Sequence, residues 1–238
     1  MNNQEFSPQE RAKQKAGYKA AEYVSNGMII GLGTGSTVAF TMARLKERIE
    51  TEGLSIHGVP TSIQTMIRAT ELGIPIIGLE QADKIDITID GADQIDPKLR
   101  LIKGRGAAHV RERIIADASL HLIIVADSSK MYDTLSGPIP VEIIPFALSH
   151  VQKRLKKLGG KPNTREGVKK DGPVISDNGN IVLDYYPSER FDPIKLETEI
   201  NMIPGVVSCG IFAEFASKTT VIIGDEEPKI ITLLDLNQ

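Results

Sequence analysis

Apolar residues recur at helical spacing near the start of the chain. Ala12, Ala16 and Ala20 lie four residues apart, which is the spacing of one helix face. The preceding segment Ser7-Pro8-Gln9-Glu10 combines an N-cap serine, a proline at the first helical position and a glutamate at the capping-box position. The pattern predicts a helix that begins here and ends at Asn26-Gly27.

Short apolar or β-branched runs then alternate with further helical patterns. The predicted strands are residues 28–31, 54–59, 74–79, 84–90, 99–102 and 121–127, and the predicted helices are residues 36–49, 63–72 and 107–118. Strands that alternate with helices favour a mostly parallel sheet with helices on both faces. The pattern therefore predicts an α/β fold.

The pattern changes after about residue 132. An apolar helical stripe ends at Gly159-Gly160, and an Asn-Gly pair at residues 178–179 lies between two apolar runs, which is typical of a hairpin. Residues 193–202 form another helical pattern. Helix, hairpin and helix predict a small α+β insertion, after which residues 219–224 return as a strand to the first sheet.

Composition is that of an ordinary globular protein, since 41% of the 238 residues are hydrophobic and 25% are charged. The formal net charge is −3, so the chain lacks the basic excess that binds a nucleic-acid backbone. Its one cysteine, Cys209, has apolar neighbours and is interpreted as a small buried residue. The sequence has neither the apolar core of a signal peptide nor a run near the ~18 apolar residues of a membrane span. We expect a cytoplasmic protein with no nucleic-acid or membrane partner.

A glycine-rich segment, residues 31–37 (GLGTGST), lies between a predicted strand and a predicted helix. Backbone N–H groups at such a junction form an anion site, to which the hydroxyls of Thr34, Ser36 and Thr37 would add donors. The alternative is a tight turn with no ligand. No Gly-Lys-Ser/Thr follows, and the next predicted strand ends without the carboxylate of a dinucleotide site. A small phosphorylated ligand is therefore favoured over a nucleotide cofactor.

Two aspartates follow the predicted strand 84–90. Asp90 and Asp93 emerge in the turn DGAD, at the strand end where open α/β sheets bind ligands. The pair could act as acid and base, bind a metal or form only a solvated turn. Neither calcium-loop spacing nor a Cys/His cluster accompanies them, so a metal is not expected.

The segment 103–112 (KGRGAAHVRE) repeats the order of strand, glycine turn and helix. Lys103 ahead of paired N–H donors suits an anion or a developing oxyanion. Glu112 lies on a mostly apolar helix stripe, where partial desolvation would raise its pKa toward that of a general base. The alternative for Glu112 is a surface glutamate paired with a neighbouring arginine.

Five motifs occur in a fixed order along the chain: GLGTGST, DGAD, KGRGAA with a glutamate nine residues after its lysine, VADSSK and GPVISDNGN. Together they closely resemble the type A ribose-5-phosphate isomerase family over nearly the whole chain. The resemblance implies a Rossmann-like domain of residues 1–132 and 207–238, with a smaller inserted α+β domain of residues 133–206. It also implies a homodimer or homotetramer that needs no metal or organic cofactor.

The same resemblance implies an activity. An aldose-ketose isomerase of this kind interconverts D-ribose 5-phosphate and D-ribulose 5-phosphate through an enediolate, in the non-oxidative branch of the pentose phosphate pathway. Glu112 would be the proton acceptor, with Asp90, Asp93 and Lys103 as the other catalytic residues. The implied substrate contacts are Thr34, Gly35, Ser36, Thr37, Asp90, Gly91, Ala92, Asp93, Lys103, Gly104, Arg105, Gly106, Lys130 and Lys13. Arg105 stands where many family members have glycine, and it adds a charge near the site.

Two other function classes remain open at this stage. A sugar-phosphate sensing domain of a transcription regulator can share this kind of fold, but the ~25 residues before the first predicted strand are too few for a helix-turn-helix segment. An acyl-CoA transferase on a related fold would use a glutamate as a nucleophile. Turnover of ribose 5-phosphate alone, without CoA or NAD, separates the three.

Overall fold

The computed structural model of the protein describes residues 6–235. Its helices are α1 (Pro8–Ala21), α2 (Ser36–Glu52), α3 (Ile63–Glu71), α4 (His109–Asp117), α5 (Leu148–Lys157) and α6 (Pro193–Asn201). Its strands are β1 (Ile29–Leu32), β2 (His57–Pro60), β3 (Ile85–Asp90), β4 (Gln94–Ile95), β5 (Leu101–Ile102), β6 (Ser119–Asp127), β7 (Ile139–Ile143), β8 (Gly160–Thr164), β9 (Ile181–Pro187), β10 (Val206–Cys209), β11 (Ile211–Phe212), β12 (Thr219–Gly224) and β13 (Lys229–Ile231).

A six-stranded sheet in the order β13-β12-β6-β3-β1-β2 forms the main body. Its neighbouring strands are parallel except for β12 and β13. The chain passes from β1 to β2 on one side and then crosses to β3 on the other, so β1 and β3 end side by side. Such a switch point opens a ligand crevice at the carboxyl ends of the strands. The predicted parallel sheet and the return of residues 219–224 as β12 are confirmed.

Helix α1 begins as its sequence predicts. Ser7 Oγ accepts a hydrogen bond from the Glu10 backbone N–H at 3.2 Å, and the Glu10 carboxylate accepts one from the Ser7 N–H at 2.9 Å. Ala16, Ala20 and Ala21 of the helix are fully buried against the main sheet and α2, whereas Ala12 is only partly buried. This packing fixes the helix beside the carboxyl end of the sheet, where Gln9 and Lys13 line the cavity described below.

A second, antiparallel sheet in the order β10-β7-β9-β8 has its own apolar core, to which α5 and α6 contribute. A third, small sheet has the order β11-β5-β4, and Lys103 directly follows its central strand β5. Strand β10 spans the predicted boundary at residue 207, so residues that we assigned to the first domain pair with β7 of the second sheet. The division into 1–132 with 207–238 and 133–206 otherwise stays a prediction.

Several predicted strands were wrong in detail. Residues 74–79 make one isolated bridge, between Ile76 and Gly58, because Pro75 has no N–H to donate. The Asn-Gly turn is confirmed, with the Gly179 N–H donating to Ser176 O at 2.9 Å. Its first arm, however, makes only the single bridge from Ile175 to Ile181.

Strands β7 and β8 were not predicted, since each has a proline in its interior, which is a signal against a strand. Within residues 6–235, none of the helices combines the length and the apolar character that crossing a bilayer requires.

Candidate active site

The glycine-rich segment joins the end of β1 to the start of α2. Gly35 is the helix N-cap at φ 117°, a conformation that favours glycine, and no side chain caps the helix. The first-turn N–H groups therefore lack intrahelical partners, and the positive helix end is a suitable anion site. Gly33 is required by close packing, since a Cβ there would lie 2.2 Å from Asp90 Oδ1.

The hydroxyl of Thr34 has protein partners that the sequence did not predict. Its Oγ1 lies within hydrogen-bond distance of three other hydroxyls, those of Thr61 at 2.9 Å, Ser62 at 2.8 Å and Thr65 at 3.1 Å. The hydroxyl cluster ties the glycine segment to the start of α3. Of the three hydroxyls predicted to be donors to a ligand, those of Ser36 and Thr37 have no hydrogen-bond partner within residues 6–235 and line the cavity.

Three ionisable side chains from different elements meet beside this segment. Lys103 Nζ lies 3.0 Å from Asp90 Oδ2 and 3.1 Å from Glu112 Oε2, and all three residues are buried. Asp90 Oδ1 accepts hydrogen bonds from the backbone N–H groups of Thr34 at 3.0 Å and Gly91 at 2.7 Å. One ammonium group is thus shared by two carboxylates, one of which also anchors the glycine segment.

The cluster shifts the protonation of both Glu112 and Lys103. Burial raises the pKa of Glu112 to about 8, the charge of Asp90 adds to the rise, and Lys103 opposes it. Burial alone would lower the pKa of Lys103, but Asp90 and Glu112 outweigh it and raise that pKa. The result is a lysine that stays charged and a carboxyl group that can take or release a proton near neutral pH.

The loop after Lys103 is held from both sides. The Lys103 N–H donates to Gly210 O at 2.8 Å, and Gly104 adopts φ 103°, which suits glycine. The Arg105 N–H donates to Asp93 Oδ2 at 2.9 Å. The Arg105 side chain is 80% exposed, so the charge that it adds lies at the rim of the site.

These elements enclose a cavity of about 390 Å³. Among the expected contacts, the residues that line it are Lys13, Thr34, Gly35, Ser36, Thr37, Gly91, Ala92, Asp93, Lys103, Gly104, Arg105, Gly106, Glu112 and Lys130. Asp90 is not in the lining and lies behind it, bound to Lys103 and to two backbone amides. Four cationic side chains against two carboxylates favour an anionic ligand.

The chain matches the family model described as ribose 5-phosphate isomerase A (phosphoriboisomerase A) over residues 57–227. It is 51% identical to ribose-5-phosphate isomerase A of Methanoregula boonei, over 91% of each chain. The chain belongs to the ribose 5-phosphate isomerase A family. The family interconverts ribose 5-phosphate and ribulose 5-phosphate. The family membership, the function and the enzyme class predicted from the sequence are therefore confirmed.

Solved structures of the ribose 5-phosphate isomerase A family share the fold. A D-ribose-5-phosphate isomerase in complex with phospho-erythronic acid superimposes with a TM-score of 0.91 at 43% identity, covering 95% of this chain and all of the other. Ribose 5-phosphate isomerase A of Methanocaldococcus jannaschii gives a TM-score of 0.88 at 40% identity, covering 92% of this chain and 97% of the other. The predicted fold class is thereby confirmed.

Other cavities are larger but lack this chemistry. One of about 450 Å³ lies beside α3 and α4 and has a mostly apolar lining. Another, of about 660 Å³, adjoins the site and shares Asp93, Arg105, Gly106 and Lys130 with it. The 390 Å³ cavity is the candidate active site because it alone among these three contains both Glu112 and Lys103.

Some lining residues were missed by sequence reasoning. They are Gln9, Val38, Gln64, Val125 and Ala126. Gln64 stands two residues after the α3 N-cap Ser62, and only the packing of α3 against the glycine segment brings it to the cavity.

Cys209 is a buried residue, as predicted, and burial raises its pKa to about 12. Over the described residues, 6–235, there is no group of three or more His, Cys, Asp or Glu side chains that could hold a metal.

Proposed function

We propose that this chain converts D-ribose 5-phosphate to D-ribulose 5-phosphate and back with Glu112 as the base that moves the proton. The observation that carries the proposal is the buried Glu112 carboxyl group, 3.1 Å from Lys103 Nζ on the wall of a cation-lined cavity. Isomerisation needs one base beside the carbonyl and donors for the enediolate oxygen. This cluster offers both.

The reaction follows from these groups. In the open-chain aldose, ionised Glu112 removes the proton from C2, and the electron pair of that bond forms the C1–C2 double bond of an enediolate. The negative charge develops on the C1 oxygen, where the Lys103 ammonium group and the loop N–H groups stabilise it. The proton of the C2 hydroxyl then moves to the C1 oxygen, which becomes the C1 hydroxyl. Glu112 returns its own proton to C1 as the electron pair left on the C2 oxygen forms the C2 carbonyl of the ketose.

The start of α2 is the proposed place of the phosphate. Ser36 and Thr37 supply hydroxyls there, and Lys13 and Lys130 add positive charge to the lining of the same cavity. A helix N-terminus with added cations is a suitable place for a phosphate dianion. A relative described in complex with phospho-erythronic acid supports a sugar phosphate as the ligand here.

The aspartates have different places in this scheme. Asp93 lines the cavity and accepts a hydrogen bond from the Arg105 N–H, so it is placed to exchange protons with substrate hydroxyls during ring opening. Asp90 lies behind Lys103 and holds its ammonium group in place.

We further propose that the protein acts in the cytoplasm as a homodimer or homotetramer, in the pentose phosphate pathway, without a metal or organic cofactor.

The test is turnover of ribose 5-phosphate as the sole added substrate after exhaustive EDTA treatment. Full activity is expected because Lys103 and the loop N–H groups can stabilise the enediolate without a metal ion. A loss of activity that a divalent ion restores would overturn the cofactor-free mechanism. A requirement for CoA would support the acyl transferase instead, and binding without turnover would support the sugar-phosphate sensor.

A further inference from the structure

Arg165, which follows β8 of the second sheet, reaches the loop after Lys103. Its Nη1 donates to two backbone carbonyl oxygens of that loop, Gly104 O at 2.9 Å and Arg105 O at 3.0 Å. Its Nε and Nη2 bind both carboxylate oxygens of Asp184, at 2.9 and 2.5 Å. The side chain is 15% exposed. A planar guanidinium group held by a bidentate carboxylate has a fixed orientation.

This contact determines where the loop N–H groups point. Both peptide bonds are trans, and in a trans peptide the C=O and the following N–H point in opposite directions. The carbonyls that face Arg165 therefore turn the N–H groups of Arg105 and Gly106 away from it. The first of these donates to Asp93 Oδ2 at 2.9 Å.

The second N–H, that of Gly106, has no protein acceptor within residues 6–235. Gly106 itself lines the active-site cavity. A backbone donor beside a cavity, with its carbonyl fixed on the opposite side, has the arrangement of an oxyanion donor. A cation at the carbonyl oxygen also polarises the peptide group and strengthens its N–H as a donor.

We propose that Arg165 is a positioning residue for the isomerisation: from the second sheet, it aims the Gly106 N–H into the cavity, where that N–H donates to the enediolate oxygen. Glycines on both sides of Arg105 would leave this loop free to rotate its peptide groups. The Ala107 N–H and Asp93 already hold the Gly104–Arg105 peptide, and Arg165 fixes the Arg105–Gly106 peptide through Arg105 O. The proposal rests on the proposed function, since it names a donor for the same intermediate.

The test compares Arg165→Ala with a matched control elsewhere in the chain. Arg48 is built alike: it is 16% exposed, its Nη1 donates to Ala21 O at 2.6 Å and Val24 O at 2.8 Å, and its Nε pairs with Glu52. It lies away from the active site. Arg48→Ala should therefore lose stability to a similar degree while keeping the wild-type kcat and KM for ribose 5-phosphate.

For Arg165→Ala we expect kcat to fall by about 10- to 100-fold, somewhat less than direct loss of an oxyanion donor costs. KM and the inhibition constant of inorganic phosphate should stay within about threefold of wild type, because the phosphate contacts remain. The shape of the pH profile should not change, because the Glu112 cluster is intact. Arg165→Lys keeps the positive charge but loses the planar guanidinium group with its several N–H donors, so it should give an intermediate kcat.

Three results would contradict either the role of Arg165 or the proposed function. An Arg165→Ala enzyme with wild-type kcat, or one in which kcat and KM change no more than in Arg48→Ala, overturns the proposal. If Arg165→Ala does not fold, Arg165→Lys decides, and a wild-type kcat for that variant overturns it equally. Inactivity of the wild-type protein would instead contradict the proposed function, so the two failures are distinguishable.

Discussion

Glu112 and Arg113 are neighbours on α4, yet they enter two different buried charge clusters. Glu112 shares the single ammonium group of Lys103 with Asp90. Arg113 faces the other way, where its Nη2 lies 2.7 Å from Glu197 Oε1 and its Nη1 pairs with Glu214. Its guanidinium group also donates to Cys209 O and Ile211 O and lies 4.4 Å from the ring centre of Phe212.

The two clusters have the same charge count but differ in burial and in access to the cavity. Each holds one cation and two carboxylates. In the Arg113 cluster, Glu214 is largely exposed, the acceptors of the guanidinium group fasten α4 to α6 and the second sheet, and no member lines the 390 Å³ cavity. In the Glu112 cluster all three side chains are buried, and Lys103 and Glu112 line that cavity. We propose that the Glu112 cluster is the reactive one and the Arg113 cluster is structural.

The strongest test of this contrast is to make the same substitution in both clusters. Glu112→Gln removes the base and keeps the size of the side chain, so kcat for ribose 5-phosphate should fall at least about 10³-fold. Substrate affinity should stay within about threefold. The matched control is Glu197→Gln, which should keep kcat within about threefold, because Glu197 is outside the cavity lining.

More than about a tenth of the wild-type kcat in Glu112→Gln would show that another group is the base. Asp93 would then be tested first, because it lines the cavity and Asp90 does not.

The reverse perturbation is Arg113→Met, which removes the cation of the structural cluster. It leaves the buried Glu197 carboxylate without its cation, with only the Ala213 N–H as donor, and removes the guanidinium donor from two backbone carbonyls. Loss of one partner of a buried pair costs about 3–5 kcal/mol, so the melting temperature should fall by roughly 6–20 °C. At 25 °C kcat should stay within about threefold, because His109 and Arg111 still hold α4 through Ser208 and the Asp177-Asn178 turn.

Glu214→Gln is the control for this loss of stability. Glu214 is the exposed partner of Arg113, with 58% of its side chain accessible, and surface pairs contribute about 0–1 kcal/mol. A melting temperature of Arg113→Met within the range of Glu214→Gln would contradict the structural assignment. Calorimetry of both variants at one pH makes the comparison.

The pH dependence sharpens the contrast within the wild-type protein. Glu112 must be ionised to accept a proton, and burial raises its pKa to about 8. We therefore expect kcat/KM to rise about tenfold per pH unit below that value and to level off above it. Rates should be compared above about pH 6.5, where the substrate phosphate is already mostly dianionic. A flat profile between pH 6.5 and 8 would contradict the raised pKa.

The sequence predicted the chemistry better than the contacts that organise it. Glycine segments after apolar strands predicted both loops of the site, because parallel strands end at one edge of a sheet. Thr34 illustrates the limit. The sequence predicts its hydroxyl as a donor to a ligand, but gives no sign that three hydroxyls from residues 61–65 lie within hydrogen-bond distance of it. Arg165 gave no signal, because its partners in the loop are carbonyl oxygens 60 and 61 residues away.

The smallest expected effect concerns stability in the reactive cluster. Glu112 ordinarily has a pKa of 4.5, and in the folded protein that pKa is raised to about 8. A group with a raised folded pKa stabilises the protein fully below its unfolded pKa, and this contribution is lost as pH rises through the folded pKa. Wild-type protein should therefore lose stability between about pH 4.5 and pH 8 from this group alone.

Glu112→Gln cannot ionise and so avoids that loss. Relative to wild type, the variant should gain unfolding free energy between pH 5 and pH 8.5, about 2–4 kcal/mol, the upper end being set by about 1.4 kcal/mol per pKa unit over the part of the rise that this range spans. Urea unfolding of both proteins at the two pH values measures the difference. Burial also raises the pKa of Glu197, with Arg113 opposing the rise, so Glu197→Gln should change stability in the same direction over this pH range. If the unfolding free energies of variant and wild type differ by the same amount at pH 5 and pH 8.5, the Glu112 carboxyl group ionises alike in the folded and unfolded chain. Ionising Glu112 in the reactive cluster would then cost no more free energy than in water.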